Sequence, residues 1–135
     1  MKLLALDIGD AWTGTAITDG LRMFARPYQT VASKDLDVFL QQTFAKEKIT
    51  TIVVGLPKTL KGTNSQQTEV TIAKKERLEK KFPDKKWVMW DESLTSKAAS
   101  QIKSAKTKEE KLLQHSIAAA IILESYLPFF NSQNH

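Results

Sequence analysis

The sequence predicts an α/β fold built on a mixed five-stranded sheet with helices on both faces. Two observations support this prediction. Three short extended stretches joined by short loops fill the first 31 residues, which is typical of an antiparallel meander. After residue 33, two β-rich stretches alternate with helical patterns, and such alternation favours parallel pairing through right-handed crossovers. The predicted order of elements is therefore β-β-β-α-β-α-β-α-α.

The three amino-terminal strands are predicted from short runs that end at turn signals. Residues 2–8 (KLLALDI) end at a Gly-Asp pair, and residues 14–19 (GTAITD) end at an Asp-Gly pair. Residues 23–31 (MFARPYQTV) form the third extended stretch, in which Pro27 indicates an edge strand. This assignment leaves Trp12 in the first loop.

The rest of the chain shows helical spacing interrupted by two strands. Ser33 is the predicted N-cap of a helix whose apolar residues recur three and four positions apart from Leu36 to Phe44. Pro83 and Pro128 are predicted to end the helices that precede them. The later elements are a strand at residues 50–56, a helix from residue 63 or 64 to 81, a strand at residues 86–91, and helices near residues 94–105 and 108–127.

The composition predicts one soluble domain spanning residues 1–135, with a disordered tail over the last few residues. The 135 residues contain no cysteine, which excludes disulfide frameworks, thiolate zinc sites and a cysteine nucleophile. The apolar run near the amino terminus is shorter than the ~7–15 residues of a signal-peptide core. The longest apolar run, residues 117–123, is far shorter than the ~18 residues that span a bilayer. We therefore expect a cytoplasmic protein that does not enter a membrane.

The charge balance allows a polyanionic partner without requiring one. Twenty Lys and Arg residues against fifteen Asp and Glu residues give a net charge of +5. A basic surplus favours nucleic acid, because phosphate contacts release condensed counterions. A well-solvated surface explains the same surplus equally well.

Asp7 is the first residue that suggests a functional site. Side chains alternate along a strand, so Leu3, Ala5 and Asp7 are expected to face the same way. A carboxylate in a core-facing row is costly unless it is paired, hydrogen-bonded or bound to a metal. We favour a functional carboxylate at the strand end, and the alternative is an Asp that caps the turn beside Gly9.

A second acidic feature, Asp91-Glu92, ends the fifth predicted strand. Neighbouring residues of a strand point to opposite faces, so only one of the two can share a site with Asp7. The other can cap the helix that follows and favour its positive amino-terminal end.

The loop at residues 55–64 (GLPKTLKGTN) lies between a predicted strand and a helix start. Its backbone N–H groups, with Lys58 and Lys61, are suited to holding a phosphate. It lacks the ending of a P-loop, and an ordinary loop with exposed lysines is the alternative. Trp12, in the first loop, is suited to stacking on a base.

Four blocks of sequence occur in order along nearly the whole chain. They are Leu6–Asp10 with Gly14 and Ala16, Val54–Pro57 with Gly62 and Gln67, Trp90–Thr95, and Ala118–Leu127. Taken together, these blocks resemble the YqgF/RuvX family. The resemblance implies a ribonuclease-H-like fold related to Holliday-junction resolvases. It also implies a nuclease that trims the 5′ end of the 16S ribosomal RNA precursor.

The resemblance further implies a metal site built from three carboxylates. Asp7 matches the first carboxylate and Glu92 the second, whereas His115 stands where the family has an Asp. The cofactor is then Mg²⁺ or Mn²⁺, and an imidazole in place of a carboxylate shifts the preference from Mg²⁺ toward Mn²⁺. His115 is alternatively a general acid or base, or a helix residue without a catalytic role.

Two other departures from the family pattern also remove charge. Ala11-Trp12 replaces a basic pair, and Ser93 replaces an Arg. Asp10 or Asp91 is then expected to compensate for the missing carboxylate. The residues expected to contact nucleic acid are Lys58, Lys61, Asn64, Thr95 and Trp12.

The sequence leaves several functions open. The first is a nuclease acting on structured ribosomal RNA precursor, and the second is a resolvase-like nuclease acting on branched DNA. The third is a catalytically weakened protein that binds nucleic acid or the ribosome. Asp7-Ile8-Gly9 also resembles the phosphate loop of sugar kinases and actin-like ATPases, but those enzymes need two such domains. The chain is expected to act as a monomer or a homodimer.

Overall fold

A computed structural model describes residues 1–56, 66–91 and 107–133 of the chain. The elements in chain order are β1 (Lys2–Ile8), β2 (Trp12–Thr18), β3 (Ala25–Ala32), a 3₁₀ turn (Ser33–Asp35), α1 (Leu36–Lys46), β4 (Ile49–Leu56), α2 (Gln66–Lys81), β5 (Lys86–Asp91) and α3 (Lys108–Gln133). The helix predicted near residues 94–105 and the predicted start of α2 lie outside the described residues.

The five strands form one mixed sheet in the order β3-β2-β1-β4-β5. β1 pairs antiparallel with β2 and β2 with β3, whereas β1–β4 and β4–β5 are parallel. Short hairpins can join antiparallel neighbours, but parallel strands need crossovers, and the segments containing α1 and α2 provide them. The predicted fold class is confirmed, and so is the edge position of the strand that contains Pro27.

The two faces of the sheet are covered by different helices. On one face, side chains of β1 and β4 pack against Leu36, Phe39 and Leu40 of α1 and Leu78 of α2. On the other face, α3 covers a second core. The α3 residues buried in this core are Ala119, Ala120, Ile122, Leu123, Tyr126 and Leu127. Each strand of the sheet centre is therefore buried on both sides, which explains its nearly continuous apolar sequence.

The hairpin between β2 and β3 is longer than predicted, because Asp19 organises it. The Asp19 carboxylate accepts hydrogen bonds from the backbone N–H groups of Met23 and Phe24, both at 2.9 Å. These bonds lower the pKa of Asp19 and hold residues 19–24 in a turn. β3 consequently begins at Ala25 rather than at residue 23. β2 begins at Trp12, so the prediction that Trp12 lies in a loop is wrong.

Ser33 does not cap α1 as predicted. Ser33 begins the 3₁₀ turn, and α1 starts three residues later without a side-chain cap. The Ser33 hydroxyl instead donates to the carbonyl oxygen of Gly9 at 2.6 Å. The Ser33 hydroxyl, which the local sequence predicts as a helix cap, thus makes a tertiary hydrogen bond to the first hairpin instead.

The last helix continues through Pro128, where the sequence predicts its end. α3 extends to Gln133 with Pro128 inside it. Beyond the proline, Phe130 packs on the second core, and the Asn131 side chain donates to the Arg22 carbonyl oxygen at 3.3 Å. These tertiary contacts offset the hydrogen bond that a proline cannot make. By length and composition alone α3 could also cross a membrane, but it is the helix that covers the second core.

One carboxylate ties α1 to α2 on the surface. The Asp37 carboxylate accepts a bidentate pair of hydrogen bonds from the Arg77 guanidinium, at 2.7 and 3.0 Å, and a third hydrogen bond from Lys81 at 3.1 Å. The Arg77 hydrogen bond is the main reason that the pKa of Asp37 falls from 3.8 to about 2. This ion-pair group is structural, because it joins two helices on the face opposite α3.

Candidate active site

Asp7 lies near the carboxyl end of β1, half-buried and opposite Gly14 of β2. Leu3 and Ala5, which share its face of the strand, belong to the core covered by α3. Asp7 therefore faces α3, at the level where the apolar row of β1 ends. Side chains of directly paired antiparallel residues share a face, so Asp7 and the position of the absent Gly14 side chain are both directed toward α3.

The direction of α3 brings His115 to the same level as Asp7. Thr30 contacts the amino-terminal part of α3, whereas the β2–β3 hairpin contacts Asn131 near its end. α3 thus runs antiparallel to β1. Ala119 shares a core with Ala5, and His115 precedes Ala119 by one helical turn of ~5.4 Å. Asp7 follows Ala5 by two strand residues, or ~6.6 Å in the same direction, so Asp7 and His115 lie at one level.

Gly14 makes this juxtaposition sterically possible. A Cβ atom at position 14 would lie 1.9 Å from the carbonyl oxygen of His115 and 2.8 Å from the backbone nitrogen of Ser116. Real Cβ atoms do not approach backbone atoms so closely, so only glycine permits this contact between α3 and β2. Gly14 therefore contacts the His115 backbone on one side and pairs with Asp7 on the other.

The turn that follows Asp7 is held by hydrogen bonds. The Gly9 N–H donates to the Trp12 carbonyl oxygen at 3.0 Å, and a Cβ at Gly9 would lie 2.6 Å from that oxygen. Ser33 clamps the same turn, because its hydroxyl contacts Gly9 and lies 2.9 Å from the Thr13 hydroxyl. The Ser33 N–H also donates to the Ala11 carbonyl oxygen at 2.9 Å. The β1–β2 hairpin that follows Asp7 is therefore held by several hydrogen bonds.

Three further predicted residues differ in their relation to Asp7. Asp10 is exposed in the turn between β1 and β2. Trp12 is half-buried and alternates with Gly14, which places it on the Asp7 face. Asp91 ends β5 on the opposite face, because Trp90 before it packs on the α3-side core and Met89 packs on the other.

The remaining predicted site residues lie outside the described residues. They are Glu92, Lys58, Lys61, Asn64 and Thr95. Within the described ranges, no group of three His, Cys, Asp or Glu side chains is placed to hold a metal ion. Asp7 and His115 are the two predicted metal ligands whose positions lie within the described residues, and the ligand roles of Asp7, His115 and Glu92 stay predictions.

Thr30 and Ser116, two polar residues beside the site, have no signal in the sequence that marks them as functional. Thr30 of β3 pairs with Gly14, and its hydroxyl contacts both Leu112 and Ser116 of α3. Neither hydroxyl carries a sequence signal of its own, since a Thr in a strand and a Ser in a helix are ordinary. Only the approach of α3 to β2 over Gly14 brings them together.

A mixed sheet in the order β3-β2-β1-β4-β5, covered by helices on both faces, is an α/β fold of the ribonuclease-H-like class. Solved structures support the fold assignment. A Thermus thermophilus RuvC structure superposes with a TM-score of 0.59, 11% sequence identity, and coverage of 98% of this chain and 97% of that one. The structure of T. thermophilus RuvC in complex with Holliday junction substrate gives the same TM-score over 96% of each chain.

Sequence comparison gives the family. The family model described as "RuvX: Holliday junction resolvase" matches residues 1–128. The chain belongs to the RuvX family, as the four sequence blocks predict.

The curated relatives cover nearly the full length of the chain. A protein of Christiangramia forsetii is 39% identical over 132 residues, covering 93% of this chain and 97% of the relative. A protein of Rubrobacter xylanophilus is 33% identical over 127 residues, covering 93% and 91%. Both relatives are described as "Putative pre-16S rRNA nuclease".

Proposed function

We propose that the chain is a metal-dependent nuclease that hydrolyses phosphodiesters at the 5′ end of the 16S rRNA precursor. The observation that carries this proposal is the placement of Asp7 and His115 at one level of the sheet, through the contact at Gly14. Membership of the RuvX family and the descriptions of the relatives support the choice of reaction and substrate.

The donor chemistry of this pair fits a divalent cation. Asp7 offers carboxylate oxygens and His115 an imidazole nitrogen, and Glu92 is proposed to add a second carboxylate. Mg²⁺ prefers oxygen ligands and Mn²⁺ accepts nitrogen more readily, so this set favours Mn²⁺. When bound, such a cation supplies Lewis-acid stabilisation of the phosphoryl oxygens and lowers the pKa of bound water.

The chain's own residues position the nucleic acid around this site. Trp12 lies on the same sheet face as Asp7, where its ring is proposed to stack on a base next to the cleaved phosphodiester. Lys58, Lys61, Asn64 and Thr95 are proposed to contact the phosphate backbone. The exposed Asp10 is proposed to supply part of the negative charge that His115 lacks as a ligand. Asp91 lies on the other face and does not share this role.

A ribosomal RNA substrate also determines partners and location. We propose that the protein works in the cytoplasm on structured precursor RNA, in contact with the assembling ribosome. The net charge of +5 suits that partner.

Branched DNA is the second candidate substrate. The family model is described as a Holliday junction resolvase, and the RuvC structure holds such a junction. We favour RNA because the relatives that match the chain over nearly their whole length are described as rRNA nucleases.

Separating cleavage from binding tests this proposal. Asp7→Asn keeps the size of the side chain and removes its charge, so cleavage of structured RNA should be abolished while RNA affinity is retained. Thr50→Val, at the other end of the sheet, is a matched control that should leave both properties unchanged. Equal loss of binding and cleavage in Asp7→Asn would contradict the assignment of Asp7. Cleavage by His115→Asp but not by wild type would show a weakened protein that binds nucleic acid without cutting it.

A further inference from the structure

A pair of hydroxyl groups fastens the start of α3 to the edge strand. The Thr30 hydroxyl donates to the carbonyl oxygen of Leu112, and it lies 2.5 Å from the Ser116 hydroxyl. A hydroxyl has one proton to donate, so Ser116 is the donor in the second bond. A serine in a helix can bond the carbonyl four residues back, yet here Thr30 takes the Leu112 carbonyl and Ser116 reaches across to β3.

These bonds bracket His115. Leu112 and Ser116 are one turn apart on α3, and His115 lies between them with its carbonyl against Gly14. In the sheet, Asp7 pairs with Gly14 and Gly14 pairs with Thr30. Asp7, Gly14 and Thr30 thus form a row across β1, β2 and β3, and α3 crosses this row at His115.

The glycine contact alone does not hold α3 in place. Gly14 has no side chain, so it permits the approach of His115 without bonding to it. Ser116 is 3% exposed and Thr30 is half-buried, so their hydroxyl contact is partly shielded from water. Hydrogen bonds at such a position hold an element in one place, because leaving either partner unpaired is costly.

We infer that Thr30 is a positioning residue that sets the height and rotation of His115 relative to Asp7. This inference rests on the proposed function, in which Asp7 and His115 act on the same cation. Residues that orient metal ligands typically contribute ~10–100-fold to metal affinity or activity. Thr30 acts on His115 through the backbone of α3, so we expect an effect at the lower end of this range, about tenfold.

Thr30→Val and Thr30→Ser form the matched pair that tests this role. Valine keeps the volume and removes the hydroxyl, while serine keeps the hydroxyl. Thr30→Val should raise the Mn²⁺ concentration for half-maximal binding, measured by calorimetry, about tenfold, and Thr30→Ser should restore it to within about twofold of wild type. In a His115→Ala background, Thr30→Val should have no further effect on Mn²⁺ binding.

A second readout separates this inference from the proposed function. The NMR signals of the His115 ring in the metal-free protein should move in Thr30→Val and stay at wild-type positions in Thr30→Ser and Thr50→Val. Unchanged ring signals in Thr30→Val would overturn the positioning role. So would a Thr30→Val substitution that weakens Mn²⁺ binding as much in the His115→Ala background as in wild type. Absence of cleavage by wild type, together with the expected ring signals, would instead remove the nuclease proposal and leave the positioning role standing.

Discussion

The carbonyl oxygen of His115 occupies the space that a side chain at Gly14 would need. An ideal Cβ at position 14 would lie 1.9 Å from that oxygen. Gly14 is also the strand partner of Asp7. One glycine therefore allows α3 to approach the sheet closely at the level of both predicted metal ligands.

Gly14→Ala should damage stability and activity together. Both colliding groups are backbone, so α3 must move away from β2, and overpacking of this kind typically costs ~1–3 kcal/mol in free energy of unfolding. Urea denaturation measures the loss of stability, and a cleavage assay measures the loss of activity expected when His115 is displaced. Gly20→Ala is the control, since a Cβ there meets no atom within 4 Å. Equal stability of the two variants would contradict the contact at Gly14.

His115 should determine which metal supports the reaction. With an imidazole in place of a carboxylate, wild type should cleave faster in Mn²⁺ than in Mg²⁺, and His115→Asp should raise the Mg²⁺ rate on the order of tenfold. The ratio of the two rates is the quantity to measure in both proteins. An identical ratio in wild type and His115→Asp would show that His115 does not bind the cation.

Trp12 should contribute to nucleic-acid binding through its ring. Loss of a base–aromatic stack costs ~1–3 kcal/mol, so Trp12→Ala should weaken RNA binding about tenfold. Trp12→Phe retains a ring and should lose much less. Fluorescence anisotropy with a labelled RNA measures both affinities. Equal weakening in the two variants would indicate that Trp12 supports the hairpin rather than the substrate.

Asp37 should make stability depend on pH in the acid range. The pKa of this carboxyl in the folded protein is about 2, lowered from 3.8 mainly by the Arg77 hydrogen bond. The stabilisation is therefore complete above about pH 4 and is lost as the pH falls toward 2, because the unfolded chain takes up the proton first. Asp37→Asn should lower the free energy of unfolding at pH 7 by about 1 kcal/mol, given the partial exposure of the pair.

Asp35→Asn is the control for Asp37→Asn. Asp35→Asn, two residues earlier, changes an exposed carboxylate that has no ion pair among the described residues. The difference in stability between wild type and Asp37→Asn should shrink as the pH falls below 4. A difference that stays constant down to pH 2 would show that the charge of Asp37 is not the cause.

Local sequence predicted the elements well where one strong pattern acted alone. The run at residues 2–8 and the one at residues 86–91 match β1 and β5, because their apolar or β-rich composition and flanking turns agree. The position of Asp7 at a strand end follows from the same pattern. Predictions were wrong where a distant contact competes with a local signal, as at Ser33, which bonds the first hairpin, and Pro128, which lies inside α3.

The site was only partly accessible to sequence reasoning for the same reason. Asp7 is conspicuous because a carboxylate interrupts an apolar row, and His115 because it departs from a family pattern. Their common level depends on the direction of α3 and on the close approach at Gly14, which are tertiary features. Thr30 has no local signal at all, since its role exists only when α3 lies across β3.

Cleavage of a 5′-extended 16S rRNA precursor shows whether Asp7 lies in a nuclease site. Wild type and identically purified Asp7→Asn should be compared in Mg²⁺ and in Mn²⁺, with a four-way DNA junction as the second substrate. We expect wild type to cleave the RNA, faster in Mn²⁺ than in Mg²⁺, and Asp7→Asn to leave it uncut. Cleavage of neither substrate in either metal, or equal cleavage by both proteins, would contradict this expectation.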